Sequence, residues 1–465
     1  MASAQQRKVV VAGVIGNALE WYDFALYGYF AVAIGHHFFP HEDAVAQLLS
    51  AFGVFALGYL MRPIGGVVVG HIGDRLGRRA ALTFSVVAMT IPTFLIGVLP
   101  GYATLGIWAP VALTLLRVVQ GLAVGGEYPC AMVFMVEHGG EGRRGLLGAF
   151  AATGAVLGIL CGSGIGAIFG RMMTPESLNE WGWRIPFVLS LAGGVVGYVL
   201  RRHVLETAPE HRVERTPIVE TVRDHGWLVG RLVALTLYTA LPFNLMFIYL
   251  VSWLQLADGI APAQALEINT ISMIVLLAVM LAAGWASDRY GRKPLLFAST
   301  ILGMVLALPL FWVMLNPALA LLGQLCVVLI IGPYIGVNPS LLVEAAPARI
   351  RCTAVALGYN LCLAVTGGAT PLVAAWLVER TETEISPALL IMVAAAITFA
   401  ALLRTEETAR KPIESSNGGA AAPRHAGIVI SCFSLLAAVA SAIASQIVAG
   451  GEPAVSQALS WWAVA

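Results

Sequence analysis

The residues best placed to do chemistry are a few charged side chains stranded in long apolar runs. Glu20, Asp23 and Tyr27 are spaced three and four apart, so at roughly 100° per residue they share one helical face, with Asn17 at its edge. Both carboxylates lie near the middle of an apolar run over 9–35, so they cannot both snorkel to water. Two acids one turn apart in hydrocarbon repel each other and lose hydration. Both effects let one of them hold a proton near neutral pH, the property a proton-coupled carrier needs. The alternative is a structural hydrogen-bonded cluster with cations of neighbouring helices. A later run carries the complement. Arg117, Gln120 and Gly121 share a face, and a guanidinium is a permanently charged fork for carboxylates. Arg117 could bind a substrate carboxylate, or pair with Glu20 or Asp23 until protonation releases it. Glu127 lies ten residues on, roughly 15 Å along a helix axis, out of contact with Arg117. Arg62, in Met61-Arg-Pro63, reads as a structural partner at a broken turn, because proline cannot donate to the helix ladder.

The second half of the chain is poorer in charge. Its pocket candidates are Tyr238 and Asn244, Tyr334 and Asn338, and Tyr359 and Asn360, beside Pro242, Pro333 and Pro339, which free backbone carbonyls. Aromatic rings there could hold an ammonium group by cation–π attraction. Tyrosine and asparagine serve equally as interhelical glue worth about 1 kcal/mol. Other chemistry finds little footing. There is no G-x-x-x-x-G-K-[ST] phosphate loop and no nucleophile or metal-ligand constellation. His36, His37 and His41 sit on one outer loop, and the six cysteines fall in apolar runs without paired spacing, as packing residues. This composition points away from an enzyme, from ATP-driven pumping, and from any metal, cofactor, nucleic-acid or obligate protein partner.

The elements that position these residues follow from hydropathy. Of 465 residues, 58% are hydrophobic and only 11% charged, against roughly 25% charged in a soluble domain. The mean hydropathy is +0.83, and such a chain belongs in a bilayer. Runs long enough to cross one, about 20 residues, lie at 9–35, 47–72, 80–99, 105–137, 145–170, 184–200, 228–256, 265–287, 294–315, 319–345, 352–378 and 386–403. The first is too long for the core of a cleavable signal. With the N-terminus inside, 21 of 27 Lys and Arg residues fall on inner segments and three on outer loops, which places both ends of the twelve-helix unit in the cytoplasm. Glycines at 154, 158, 162, 166 and 170 form a ladder that suits close packing of the fifth span.

Two decapeptides mark an internal repeat. Gly70-His-Ile-Gly-Asp74-Arg75-Leu-Gly77-Arg78-Arg79 follows the second span, and Gly284-Trp-Ala-Ser-Asp288-Arg289-Tyr-Gly291-Arg292-Lys293 follows the eighth. Glu137 precedes Arg144 by seven at the end of span four, and Glu344 precedes Arg351 by seven at the end of span ten. These ten residues, Asp74, Arg75, Arg78, Glu137, Arg144, Asp288, Arg289, Arg292, Glu344 and Arg351, are candidates for a conformational gate. Parallel six-helix repeats imply alternating access by rocking of one half against the other.

The paired loop resembles the signature of the major facilitator superfamily. Gly16-Asn-Ala-Leu-Glu20-Trp-Tyr-Asp23-Phe, Met61-Arg-Pro-Ile-Gly-Gly66, Arg117-Val-Val-Gln-Gly-Leu-Ala-Val-Gly-Gly-Glu127 and Trp181-Gly-Trp-Arg-Ile-Pro-Phe187 resemble its metabolite:proton symporter branch. That branch includes carriers of proline and betaine, citrate, 2-oxoglutarate and shikimate. Gly101–Pro110 and Thr370–Glu379 look most like the proline/betaine members, and the resemblance covers about residues 8–412. It implies a bacterial inner-membrane protein of all-α, twelve-helix, 6+6 pseudo-symmetric fold, working with a small-molecule substrate, protons and membrane lipid. It ties the Arg117-x-x-Gln120-Gly121 segment to proton coupling. Glu20, Asp23, Arg117 and Glu127 are therefore the coupling candidates. Asn17, Tyr27, Arg117, Gln120, Tyr238, Asn244, Tyr334, Asn338, Tyr359 and Asn360 are those for substrate.

The expected organisation is a six-helix bundle over 1–200, a cytoplasmic linker over 201–227, a second bundle over 228–404 and a tail over 405–465. The tail's charge-free run 426–449 reads as a thirteenth helix, either crossing the membrane or lying at its interface. The function this implies is secondary symport: uptake, with a proton, of a small organic acid or zwitterionic osmolyte. The alternatives are proton-coupled efflux, or a transporter-like receptor that binds without moving its ligand.

Overall fold

The computed structural model describes residues 4–39, 44–140, 142–202, 217–257, 262–409, 411 and 413. The expected helix over 426–449 lies outside them. Helices α1 (Ala4–Tyr29), α2 (Ala44–Arg75), α3 (Arg78–Val98), α4 (Trp108–Glu137), α5 (Arg144–Met172) and α6 (Arg184–Arg202) are followed by α7 (Gly226–Asn244), α8 (Pro262–Tyr290), α9 (Arg292–Met314), α10 (Ala320–Glu344), α11 (Arg351–Thr381) and α12 (Ala388–Leu403). These are the twelve expected spans, and no strand occurs among the described residues. Ten helical segments of the described residues are long and apolar enough to cross a bilayer; α12 is a shorter apolar helix. Leu60, Leu115, Leu329 and Trp312 leave more than half their surface exposed, as a lipid-facing wall requires.

Two of the expected spans are not continuous α-helix. The first breaks at Phe30 and resumes as a separate helix, Ala31–Phe38. The seventh passes through a π-turn, Leu245–Tyr249, three residues after Pro242. The carbonyls there are bonded from outside: Gln324 Nε2 donates to Met246 O at 3.1 Å and Asn269 Nδ2 to Phe247 O at 3.3 Å. That is how an irregular turn is tolerated at bilayer depth.

The described residues fall into two compact units. Unit 1 comprises Met1–His138, Thr153–Ile218 and Arg349–Asn360; unit 2 comprises Gly139–Ala152, Val219–Ala348 and Leu361–Ala465. Unit 1 is held by backbone-to-backbone approach of α2 and α4. A Cβ added at Gly65 would stand 2.1 Å from Leu122 O, at Gly121 2.3 Å from Gly58 O, and at Gly125 2.1 Å from Arg62 O. Only glycine fits these crossings, the packing mode helices use in lipid. The fifth-span ladder is used in part: Gly154 and Gly158 press on Val14 and Ala18 of α1, whereas a Cβ at Gly166 would meet nothing within 4 Å. In unit 2, Gly336 of α10 packs on the backbone of Met280 in α8. The two decapeptides end in the same conformation. Gly77 has φ 97° and ψ 158°, and Gly291 has φ 101° and ψ 161°. That left-handed region favours glycine and turns the chain into α3 and α9.

Candidate functional site

In unit 1, α1 presents Asn17, Glu20, Asp23 and Tyr27 to the interior, none more than 3% exposed. Glu20 and Asp23 line a cavity of about 260 Å³, and Glu127 of α4, 2% exposed, lines it too. The third wall is α3, with Ser85 and Thr90. Much of that volume is narrow, leaving room for about one water. Three carboxylates from two helices thus line one narrow space. That Glu127 lines it with Glu20 and Asp23 depends on how α1 lies along α4, which the sequence does not give.

Arg117 is fully buried. Its guanidinium lies 4.0 Å from the centre of the Tyr27 ring and 5.0 Å from that of Phe55. Nη1 donates to Gln120 Oε1 at 2.7 Å, and Gln120 Nε2 donates to Thr93 Oγ1 at 2.7 Å. Thr93 also neighbours Asp23, and its hydroxyl donates to Met89 O at 2.8 Å. Gln120 therefore ties Arg117 to Thr93, the threonine beside Asp23. Asp23 Oδ1 finds no partner among the described residues. Thr93 is the functional candidate that sequence reasoning missed, since a threonine in an apolar helix carries no charge signal. Tyr27 has two structural duties: its ring supports Arg117, and its hydroxyl donates to Ala51 O of α2 at 3.0 Å.

Arg62 sits 5.4 Å from the ring centres of both Trp21 and Tyr59, with Nε donating to Asn360 Oδ1 at 3.3 Å. Asn360 Nδ2 donates to Gly125 O and Ala356 O, so this amide clips the start of α11 to α4. Tyr359 packs its ring 5.0 Å from that of Tyr128. In unit 2 the candidate pocket hydroxyls are spent on backbone. Tyr238 Oη donates to Ser299 O at 3.1 Å and Tyr334 Oη to Leu235 O at 2.7 Å, with the two rings edge-on at 5.1 Å. Asn244 Nδ2 donates to Ala240 O of its own helix and Asn338 Nδ2 to Thr239 Oγ1. Three of these bonds join neighbouring helices as interhelical glue does, and the Asn244 bond stays within its own helix.

The gate candidates form two clasps of one design. In unit 1, Asp74 accepts from Cys352 N at 3.1 Å, Thr353 N at 2.9 Å and Thr353 Oγ1 at 2.7 Å, capping the first turn of α11. Arg351 Nη1 pairs with Glu137 Oε1 at 2.8 Å. In unit 2, Asp288 accepts from Gly145 N at 2.7 Å and Leu146 N at 2.9 Å, capping the first turn of α5. Arg292 binds Asp288 at 2.8 Å and Glu344 at 3.0 Å, and Arg144 reaches Glu344 at 3.3 Å. The Glu and Arg spaced seven apart in sequence thus pair crosswise: Glu137 with Arg351, and Glu344 with Arg144. Arg75 and Arg289 are exposed, and the Arg78 side chain lies outside the described residues.

Residues 13–368 match the family described as the Major Facilitator Superfamily. The chain belongs to the Major Facilitator Superfamily. It is a multi-pass membrane transporter of twelve helices, and its relatives are proline and betaine transporters. The glycine betaine/proline/ectoine/pipecolic acid transporter OusA of Dickeya dadantii (strain 3937) is 34% identical over 434 residues, covering 89% of this chain and 86% of that protein. The proline/betaine transporter of Salmonella typhimurium (strain LT2) is 34% identical over 432 residues, with the same coverage. Among solved structures, the proton:xylose symporter XylE has a TM-score of 0.73 at 19% identity, over 90% of this chain and 99% of that one. At that identity the likeness speaks to the fold. Superfamily members and these relatives are transporters, so the chemistry to be explained is movement of a small molecule.

Proposed function

We propose that the chain is a symporter that takes up a small zwitterion with a proton by alternating access, its N-terminus and basic loops in the cytoplasm. The halves that rock are the bundles over 1–200 and 228–404. The observation that carries the reading is that Glu20, Asp23 and Glu127 line one narrow cavity, with Arg117 tied through Gln120 to Thr93 beside Asp23. The three acids give a transported proton somewhere to sit, and the cavity has room for about one water and none for substrate. Protonation of Asp23 removes a nearby countercharge of Arg117, which frees the fork to receive a substrate carboxylate.

Both signs of charge in unit 1 suit a substrate that carries both. A tricarboxylate would approach three carboxylates at a cost in repulsion. The substrates for which the relatives are named, betaine, proline and ectoine, fit that preference. The test is uptake of labelled proline, betaine, citrate, 2-oxoglutarate and shikimate into proteoliposomes with an acid exterior. Proline or betaine uptake should rise with the gradient, and uptake indifferent to it would remove proton coupling.

A further inference from the structure

The residues that follow α12 turn back over the first turn of α9. That turn begins after Gly291, which has no side chain with which to cap it. Glu407 supplies the missing carboxylate from elsewhere in the chain. Its Oε1 accepts from Arg292 N and its Oε2 from Lys293 N, both at 2.9 Å. The same carboxylate accepts from its own segment, Thr408 N and Ala409 N, at 3.0 Å each. Burial alone would raise the Glu407 carboxyl, but these four backbone donors hold it below the usual carboxylate range. Thr408 Oγ1 donates to Glu344 Oε2, and the Lys411 carbonyl accepts from Arg144 Nη2 at 2.7 Å. One short stretch therefore touches Arg292, Glu344 and Arg144. Those are the side chains that, with Asp288, hold Gly145 and Leu146.

We infer that Glu407 is a positioning residue for the Asp288 clasp, and that residues 405–409, with Lys411, form a strap that sets how often the clasp opens. The physical reason is local. An uncapped first turn frays, because its N–H groups have no partner within the helix. Arg292 stands on that turn, and its Nη1 binds Asp288 Oδ1 at 2.8 Å and Ser287 Oγ at 2.7 Å. Once Arg292 swings, Asp288 loses the cation that orients it toward the α5 amides, and Glu344 loses one of its two arginines. The functional consequence rests on the alternating-access reading, in which those amides leave Asp288 once per cycle. The strap itself does not depend on that reading.

Hydrogen–deuterium exchange of the full chain in lipid nanodiscs reads the clasp directly, since Gly145 N–H and Leu146 N–H are its bonds. Glu407→Gln should speed exchange in the peptide over 143–148 by about tenfold, the effect of losing a charge-assisted cap. The peptide carrying Cys352 and Thr353 should be unchanged. Glu407→Asp should recover part of the protection. Glu406→Gln should exchange as wild type, because Glu406 is exposed and its ion pair is with Lys411 of the same strap. Thr408→Val, which leaves the cap intact, should give a smaller rise at the same peptide. Unchanged exchange over 143–148 in Glu407→Gln, or an equal rise at both clasps, would overturn the proposal. If the wild type takes up no tested solute, the transport reading fails while the exchange data still decide the strap.

Discussion

Replacing Thr93 by valine keeps the shape of the side chain and removes the hydroxyl beside Asp23 that accepts from Gln120. Gln120 is 1% exposed, so the amide left behind cannot turn to water. Hydrogen bonds between helices in bilayers average about 0.6 kcal/mol and reach about 1.7. Stranding a buried donor costs about 1–3 kcal/mol. The second figure governs, because the Gln120 amide loses its partner at 2.7 Å with none to replace it. Loss of the back-bond to Met89 O is close to neutral, since that bond competes with the helix ladder. The predicted loss is about 1–2 kcal/mol of coupling between proton and substrate, or about 5–30-fold. The assay is accumulation under an acid-outside gradient set against counterflow exchange in the same proteoliposomes. Thr93→Val should lose accumulation by that factor with exchange close to wild type, and Thr93→Ser should restore it. Wild-type accumulation in Thr93→Val, or equal impairment in Thr93→Ser, would refute the link.

Other outcomes follow from the same geometry. Arg117→Lys keeps the charge but loses a fork stacked 4.0 Å from Tyr27, a desolvated contact worth about 2 kcal/mol, so substrate turnover should fall about 30-fold at an unchanged melting temperature; normal kinetics would sink the carboxylate clamp. Gly121→Val forces carbon against Gly58 O and should cost at least about 1–3 kcal/mol, seen as a lower melting temperature, whereas Gly58→Ala meets only Arg117 O at 3.6 Å and should be tolerated. Glu407 has its folded-state affinity for a proton reduced, so the cap's stabilisation is whole above the unfolded value of about 4.3 and is lost as pH falls through the lower folded one. Clasp exchange corrected for intrinsic rates should therefore be flat across neutral pH and rise only in acid; a step near pH 6 would contradict the assignment.

The sequence carried the parts of this molecule that leave a strong local mark. Twelve apolar runs, the repeated Gly-Asp-Arg loop and the carboxylates of α1 all stand out because hydrocarbon penalises charge and turns need glycine. Asp74 and Asp288 fall at equivalent places with equivalent bonds, as the repeat implied. What was not legible depends on registers between distant helices. Nothing local says that Glu137 meets Arg351, that Glu127 lines the cavity of Glu20, or that Glu407 caps a helix 115 residues earlier. Thr93 was silent for another reason: its importance lies in one hydroxyl placed between two visible residues. The tyrosines and asparagines of unit 2 left two readings open, because a residue type alone does not say that Tyr238 and Tyr334 reach backbone carbonyls of neighbouring helices.

The claim that matters most is that Asp23 carries the proton that moves with substrate. The most direct test is proton flux: proline or betaine is added outside lightly buffered proteoliposomes, and external pH is followed with a dye. The wild type should alkalinise the medium as substrate enters, and Asp23→Asn should exchange substrate with no pH change. Proton movement in Asp23→Asn equal to the wild type, or substrate entry in the wild type without it, would contradict the account.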